Sequence, residues 1–281
     1  IINSPTLLGL SLYRVDNMIK YFISDLDGTL LFRNVGIKKS DITALNKSIQ
    51  EGLHLWVATG RGYDAYDMLK RYGIYPEQMV CSSGAVLCDS DSHIRYLSVI
   101  SNEDAKHLFT FLEENYPELD YTLDLDSHEY HFARLDSGNL LRHLPDFPQN
   151  IAINISEFLN HPELKLMRLF CVSHSNEYCA EVRKTIEVEF GGRLKALKTD
   201  TNCLDIIPSE CGKWHGVSTL LKENHIDPKE VAAIGDEETD VEMIRNCGIG
   251  LAMYTADESV RNAADYVVKS VEEALNIIKS K

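Results

Sequence analysis

Apolar and polar positions alternate in blocks of two different periods along the first seventy residues. Ile19–Ser24 is an apolar run of strand length. Behind Ser40, the residues Ile42, Leu45 and Ile49 recur at three- and four-residue steps, and Gly52 follows. That pattern predicts a helix with Ser40 as its N-cap and Gly52 at its end. Leu53–Ala58 is a second apolar strand, and Tyr63–Tyr72 reads as a helix stopping at Gly73. Strand, helix, strand, helix implies a parallel sheet with helices on its faces.

The same alternation returns near the end. Leu204–Ile207, Val231–Ile234 and Ile249–Met253 read as strands of this sheet. Lys213–Asn224 and Glu238–Asn246 read as helices, and Ser270 caps a last one through Ile278. The middle has a different pattern. Glu103–Tyr116 is helical, Tyr121–Leu125 and Tyr130–Leu135 read as an antiparallel pair, and Leu166–Ser173, Asn176–Phe190 and Leu194–Thr199 complete a mixed set. The expected division is a core domain of residues 18–85 and 202–281, with an α+β domain of residues 86–201 inserted into it. Residues 1–17 read as a non-native or disordered extension, with Met18 as the natural start.

Composition narrows the function classes. Lys and Arg number 28 against 43 Asp and Glu, a formal charge of −15 over 281 residues. Such a chain gains nothing from counterion release on nucleic acid. An anionic membrane surface is equally unfavourable, and no apolar run reaches the roughly 20 residues that cross a bilayer. Any phosphate site must import local cations. The seven cysteines are an odd number, contain no C-x-x-C pair, and read as reduced thiols of a cytoplasmic protein. A catalytic cysteine would have no signature around it.

Four polar clusters adjoin the expected core strands, where open α/β sheets place their sites. The first is Asp25-Leu26-Asp27-Gly28-Thr29. In an extended segment Asp25 and Asp27 share a face, and two close carboxylates need a cation or a shared proton. Mg²⁺ suits such oxygens and would also meet a substrate phosphate. The plain alternative is a turn formed by Asp and Gly. The second cluster is Thr59-Gly60-Arg61, whose hydroxyl and backbone N–H suit a phosphate oxygen, although Thr59 taken alone reads as an N-cap. Lys213, at a helix start, is the third, a phosphate-neutralising residue or a solvated lysine. The fourth is Gly235-Asp236-Glu237-Glu238-Thr239-Asp240, a crowd of acids after an apolar strand that a cation would relieve. An acidic helix N-terminus is the alternative there.

In this order, D-x-D-G-T, Thr, Lys and G-D-x-x-x-D, the sequence resembles the haloacid dehalogenase-like (HAD) superfamily. It is most similar to the Cof-type branch with a C2B-type α/β cap. Val57-Ala58-Thr59-Gly60-Arg61, Ser83-Gly84-Ala85 and Gly250-Leu251-Ala252-Met253 support the resemblance, which runs from about Ile19 to the C-terminus. It implies a Rossmann-like three-layer core and an inserted cap. It implies Asp25 as nucleophile and Asp27 as general acid and base. Asp25, Asp236 and the Asp27 carbonyl would hold Mg²⁺. Thr59, Gly60, Lys213 and Thr239 would hold the phosphoryl group, and Asp240 would orient metal waters or Lys213. Thr239 and Ser83 stand where the family usually has Asn, which implies slower turnover.

Arg61, Ser83, Tyr121, Tyr130 and Arg134 are further candidates for substrate contact, with cap packing the alternative for the residues of the hairpin. His128-Glu129-Tyr130-His131 is not H-E-x-x-H, and on a strand its histidines would diverge. The resulting expectation is a phosphomonoesterase for small phosphorylated metabolites, sugar phosphates first, monomeric or a small homo-oligomer. A phosphomutase and a non-catalytic phosphometabolite sensor are the rival readings.

Overall fold

The computed structural model describes residues 18–91, 93–127, 131–144 and 152–281. The chain opens with β1 (Tyr21–Ser24), a short hairpin of β2 (Leu31–Phe32) and β3 (Gly36–Ile37), α1 (Lys39–Gln50), β4 (His54–Ala58), α2 (Ala65–Arg71) and β5 (Gln78–Cys81). It continues through β6 (Val86–Asp89), β7 (Ile94–Tyr96), α3 (Asn102–Asn115), β8 (Asp120–Leu125), β9 (His131–Arg134), α4 (Asn139–His143), β10 (Ala152–Asn154), β11 (Leu166–Val172), α5 (Asn176–Glu189), β12 (Leu194–Asp200) and β13 (Cys203–Pro208). It closes with α6 (Lys213–Glu223), β14 (Val231–Gly235), α7 (Val241–Asn246), β15 (Ile249–Met253), α8 (Glu258–Arg261), β16 (Tyr266–Val268) and α9 (Val271–Lys279).

Two sheets organise these elements. The larger runs β16-β15-β14-β1-β4-β5-β6-β7, parallel from β16 to β5 and antiparallel at β6 and β7. Its strands are apolar on both faces because helices cover both. Phe22, Leu55 and Ala232 pack with residues of α1, α2 and α9. Their neighbours Ile23, Trp56 and Ala233 pack with Val217, Leu220 and Met243 from α6 and α7. This is the expected three-layer α/β core. The smaller sheet runs β10-β9-β8-β11-β13-β12. One of its faces carries Tyr121, Leu123, Leu169, Ile206 and Ala196 against Leu108, Leu112, Val182 and Ile186 of α3 and α5.

The pairing corrects both expected seams of the insertion. Val86–Asp89 extends the larger sheet antiparallel to β5, and Ile94–Tyr96 follows antiparallel to β6. Leu204–Ile207, expected as a core strand, lies inside β13 between β11 and β12 of the smaller sheet. Its unbroken apolar run carries no sign of which sheet it joins, since strands of either sheet can be buried on both faces. Two helix starts also differ. Lys38, not Ser40, occupies the N-cap position of α1, without a side-chain cap. Glu238–Asp240 is a 3-10 turn that precedes α7. Ser270 does cap α9, its side chain accepting from the Glu273 N–H.

Candidate active site

Parallel pairing of β4, β1 and β14 brings their carboxyl ends to one edge. Asp25 follows β1, Thr59 follows β4 and Asp236 follows β14. Four segments far apart in sequence therefore meet there, with Lys213 entering at the first residue of α6. The Asp25 N–H donates to the Ile234 carbonyl, 2.9 Å away, so the nucleophile candidate is fixed by the neighbouring strand.

Asp25 is buried, and its Oδ1 accepts from Lys213 Nζ at 2.6 Å. Lys213 Nζ also donates to Asp240 Oδ1 at 2.7 Å. The other Asp240 oxygen accepts from the backbone N–H groups of Asp236 and Glu237, at 3.1 and 3.0 Å. Both oxygens of Asp240 are thus committed, and its task is to hold Lys213 and the loop. Asp236 Oδ1 accepts from Thr29 Oγ1 at 2.5 Å. Gly28, with φ of +86°, lies so close that a Cβ would collide with the Asp236 carboxylate. This is a physical reason for glycine after Asp27, beyond turn formation.

Carboxyl oxygens of Asp25, Asp236 and Asp240 all lie within 4.8 Å of one another. Asp25 Oδ2 is buried with no hydrogen-bond partner. Burial pushes the Asp25 carboxyl well above its usual range, with Lys213 opposing and Asp240 and Asp236 adding to the rise. Burial, then Asp240, pushes Asp236 up to about 7. Glu237 is pushed up to about 8 by burial and by Asp240. Lys213 is held charged, since Asp240 and Asp25 outweigh its burial. One ammonium facing this many acids leaves an electrostatic deficit, and a hard divalent cation on Asp25 and Asp236 fits it.

Asp27 points elsewhere. Its carboxylate is half exposed and accepts two bonds of 2.7 Å from Arg61 Nε and Nη2. Thr59 is buried and its Oγ1 accepts from the Arg61 N–H at 3.1 Å. It caps no helix, because α2 begins six residues later at Ala65. Thr239 lies half-buried in the 3-10 turn.

The hairpin candidates are not brought to the site. Tyr121 is fully buried, stacks on Phe109 of α3, and sits with the apolar face of the smaller sheet. Arg134 pairs directly with Tyr121 across β8 and β9, and binds Asp136 and the Pro117 carbonyl instead. Side chains at even and odd positions of a strand face opposite ways, so Tyr121 and Asp124 diverge. Tyr130, with His128 and Glu129, lies outside the described residues. None of the seven cysteines forms a disulfide, and burial pushes the thiols of Cys81, Cys171, Cys203, Cys211 and Cys247 up, away from nucleophilic character.

Three residues missed in the sequence lie here, Arg168 and Asp205 beside Gly60 and Asp124 beside Gly62. Arg168 Nη1 binds both oxygens of Asp205 at 2.9 and 3.0 Å, and Arg168 Nε lies 3.4 Å from Asp124 Oδ2. Asp205 Oδ2 also accepts from Ser83 Oγ at 2.5 Å. A Cβ on Gly60 would lie 3.4 Å from Arg168 Nη1 and from Ser83 Oγ. The available signal was charge inside otherwise apolar strands: Asp120 and Asp124 in β8, Arg168 in β11 and Asp205 in β13.

Comparisons with known proteins agree with this geometry. A family model for haloacid dehalogenase-like hydrolases matches residues 22–276. The chain is 23% identical over 269 residues to a chloroplastic endoribonuclease YBEY of Arabidopsis thaliana. That match takes in 92% of this chain but only 45% of the Arabidopsis protein, so the chain spans less than half of that relative's length. It is 27% identical over 235 residues to an HMP-PP phosphatase of Yersinia pestis, covering 83% of this chain and 82% of the relative. A solved sugar phosphatase of HAD subclass IIB superposes with a TM-score of 0.75 at 22% identity, covering 93% of this chain and 98% of the other. With the family model spanning both sheets and the acidic site at the edge of the larger one, this chain belongs to the haloacid dehalogenase-like hydrolases.

Proposed function

We propose that this chain is a magnesium-dependent phosphomonoesterase that forms an aspartyl-phosphate on Asp25. The observation carrying the proposal is the state of Asp25 itself. It is a buried carboxylate with one oxygen held by Lys213, the other without a partner, and Asp236 beside it.

A carboxylate oxygen of Asp25 bonds to phosphorus as the bond from phosphorus to the leaving oxygen breaks. Asp27 gives its proton to that oxygen. Water then attacks phosphorus, Asp27 takes the proton, and Asp25 is released with inorganic phosphate. Because both Asp27 oxygens accept from Arg61 here, donating a proton requires Arg61 to let one go. Lys213, the Thr59 hydroxyl and the backbone N–H groups near them hold the phosphoryl oxygens. Thr239 would add a shorter contact than an amide. Asp25, Asp236 and the Asp27 carbonyl would hold Mg²⁺, which when bound supplies charge compensation to the phosphoryl oxygens.

Residues between Tyr96 and Lys213, built on the smaller sheet, act as the cap. A cap of this size excludes bulk water and favours a small leaving group. The likeness to an HMP-PP phosphatase of Yersinia and to a sugar phosphatase supports small phosphorylated metabolites, with sugar phosphates first. Among the described residues no helix is long and apolar enough to cross a membrane.

The test is phosphate release from p-nitrophenyl phosphate, with and without Mg²⁺, by wild type and Asp25→Asn. Wild type is expected to be active only with the metal and the variant inactive. Activity surviving in Asp25→Asn would remove the nucleophile assignment.

A further inference from the structure

The turn Ser82–Gly84, directly after β5, takes no part in the reaction just described, yet it touches three segments. Ser82 and Ser83 have φ of 49° and 52°, a left-handed conformation rare for residues other than glycine. Such backbone persists only where its surroundings hold it.

The first set of contacts runs to the phosphate-binding loop. The Ser82 N–H donates to the Arg61 carbonyl at 2.7 Å and the Ser83 N–H to the Thr59 carbonyl at 3.2 Å. The second runs to the start of α6. Gly84, with φ of +100°, approaches Gly212 so closely that a Cβ would collide with its carbonyl, and Gly212 directly precedes Lys213. The third reaches the cap. Ser83 Oγ donates to Asp205 Oδ2, and Asp205 is fully buried in β13 with Arg168 gripping both its oxygens. One three-residue turn thus joins the cap to the segments bearing Thr59 and Lys213.

Simple adhesion between cap and core would not need this arrangement. A buried ion pair contributes less than apolar packing of the same volume, because both partners lose their water. Cap and core also meet through Arg183 with Glu238 and Lys198 with Asp257, pairs exposed to solvent and accordingly weak. What a buried, doubly gripped carboxylate supplies is direction.

We propose that Asp205, oriented by Arg168, is a positioning residue for the phosphate clamp. With the cap seated, the Asp205 carboxylate fixes the Ser83 hydroxyl. The turn then sets the Thr59–Arg61 loop and the first residue of α6 in register with Asp25. The proposal rests on the phosphatase reading above, and it assigns neither Asp205 nor Arg168 a contact with substrate.

Asp205→Asn, Ser83→Ala and Arg168→Lys test it in the full chain with Mg²⁺. Each is assayed on p-nitrophenyl phosphate and on the best metabolite from a phosphate-release screen. Asp205→Asn and Ser83→Ala are expected to lower kcat roughly tenfold or more on both substrates alike, with KM little changed. Orthovanadate binding, measured by calorimetry, should weaken by a similar factor. Arg168→Lys, which keeps charge but cannot reach Asp205 with one nitrogen and Asp124 with another, should fall between them and wild type. If Asp205→Asn does not fold, Ser83→Ala carries the same expectation.

A loss confined to the metabolite and absent with the aryl ester would overturn the proposal, since Asp205 and Arg168 would then read the leaving group. Unchanged kcat with only a lowered Tm would overturn it too, leaving a structural contact. Failure of the parent reading is separable: it shows as activity in Asp25→Asn, whatever the Asp205 variants do.

Discussion

The two sheets carry buried charge differently. At the edge of the larger sheet, Lys213 is, among the described residues, the single cation bonded among Asp25, Asp236 and Asp240, and Asp25 Oδ2 is left without a partner. On the smaller sheet, Arg168 meets Asp205 with two bonds and Asp124 with one ion pair, and Ser83 completes Asp205. The first cluster is incomplete by its own residues and has room for an external cation and an anion. The second sets one cation against two acids: Asp205 is fully bonded and holds geometry, while Asp124 Oδ2 is left without a hydrogen bond. The larger acid excess, at the strand ends of the parallel sheet, is where chemistry is expected, and the fully bonded carboxylate is where positioning is.

The largest expected effect separates the clusters by function. Asp25→Asn should cost turnover on the order of 10³-fold or more, seen as lost phosphate release and as loss of a hydroxylamine-sensitive phosphoenzyme. A comparable loss in Asp205→Asn would erase the distinction between chemistry and positioning.

Lys213→Met should destabilise the fold by about 3–5 kcal/mol, because it leaves Asp25 and Asp240 buried without their cation. Urea unfolding monitored by fluorescence measures this. A loss below about 1 kcal/mol would mean that the acids are already neutral in the metal-free protein.

The acid excess also gives a pH dependence. Asp236 and Glu237 bind protons more tightly folded than unfolded, with folded values of about 7 and about 8. Their contribution is therefore fully present below the ordinary carboxylate range and is lost as pH rises through 7 to 8. Metal-free protein should lose on the order of a few kcal/mol between pH 5 and 8. Mg²⁺ should raise Tm most at the high end and flatten the slope, which calorimetry with chelator and with metal would show. Asp236→Asn should abolish that metal-dependent rise.

Smaller effects sharpen the edges of each cluster. Thr239→Asn should raise kcat/KM severalfold by restoring a directed hydrogen bond worth about 1 kcal/mol, and an unchanged value would show that the turn makes no phosphate contact. Arg183→Ala, which breaks an exposed pair with Glu238, should cost about 0–1 kcal/mol in urea unfolding.

The contrast also explains what was legible. Asp25, Thr59, Lys213 and Asp236 were readable because each sits at the end of an apolar strand or at a helix start. The period change in the pattern marks those places without knowledge of the fold. Asp205 and Arg168 were not, because each is one charge within an apolar strand, and their pairing depends on β11 and β13 lying side by side. The same ambiguity placed Leu204–Ile207 in the wrong sheet. Tyr121 was misjudged because the face presented to the core depends on strand register, which a hairpin pattern leaves open.

The sequence by itself determined the three-layer core, the presence of an insertion, and the four segments that form the acidic edge. Hydrophobic period and turn residues are local properties, and they suffice to locate strand ends. Only the tertiary structure decided which face of the smaller sheet looks toward the site, that Asp27 is held by Arg61, and that Ser83 belongs to a link from the cap. These are consequences of long-range pairing, in which residues 34 to 122 positions apart come within hydrogen-bond distance. No local pattern of apolar and polar residues encodes such a distance.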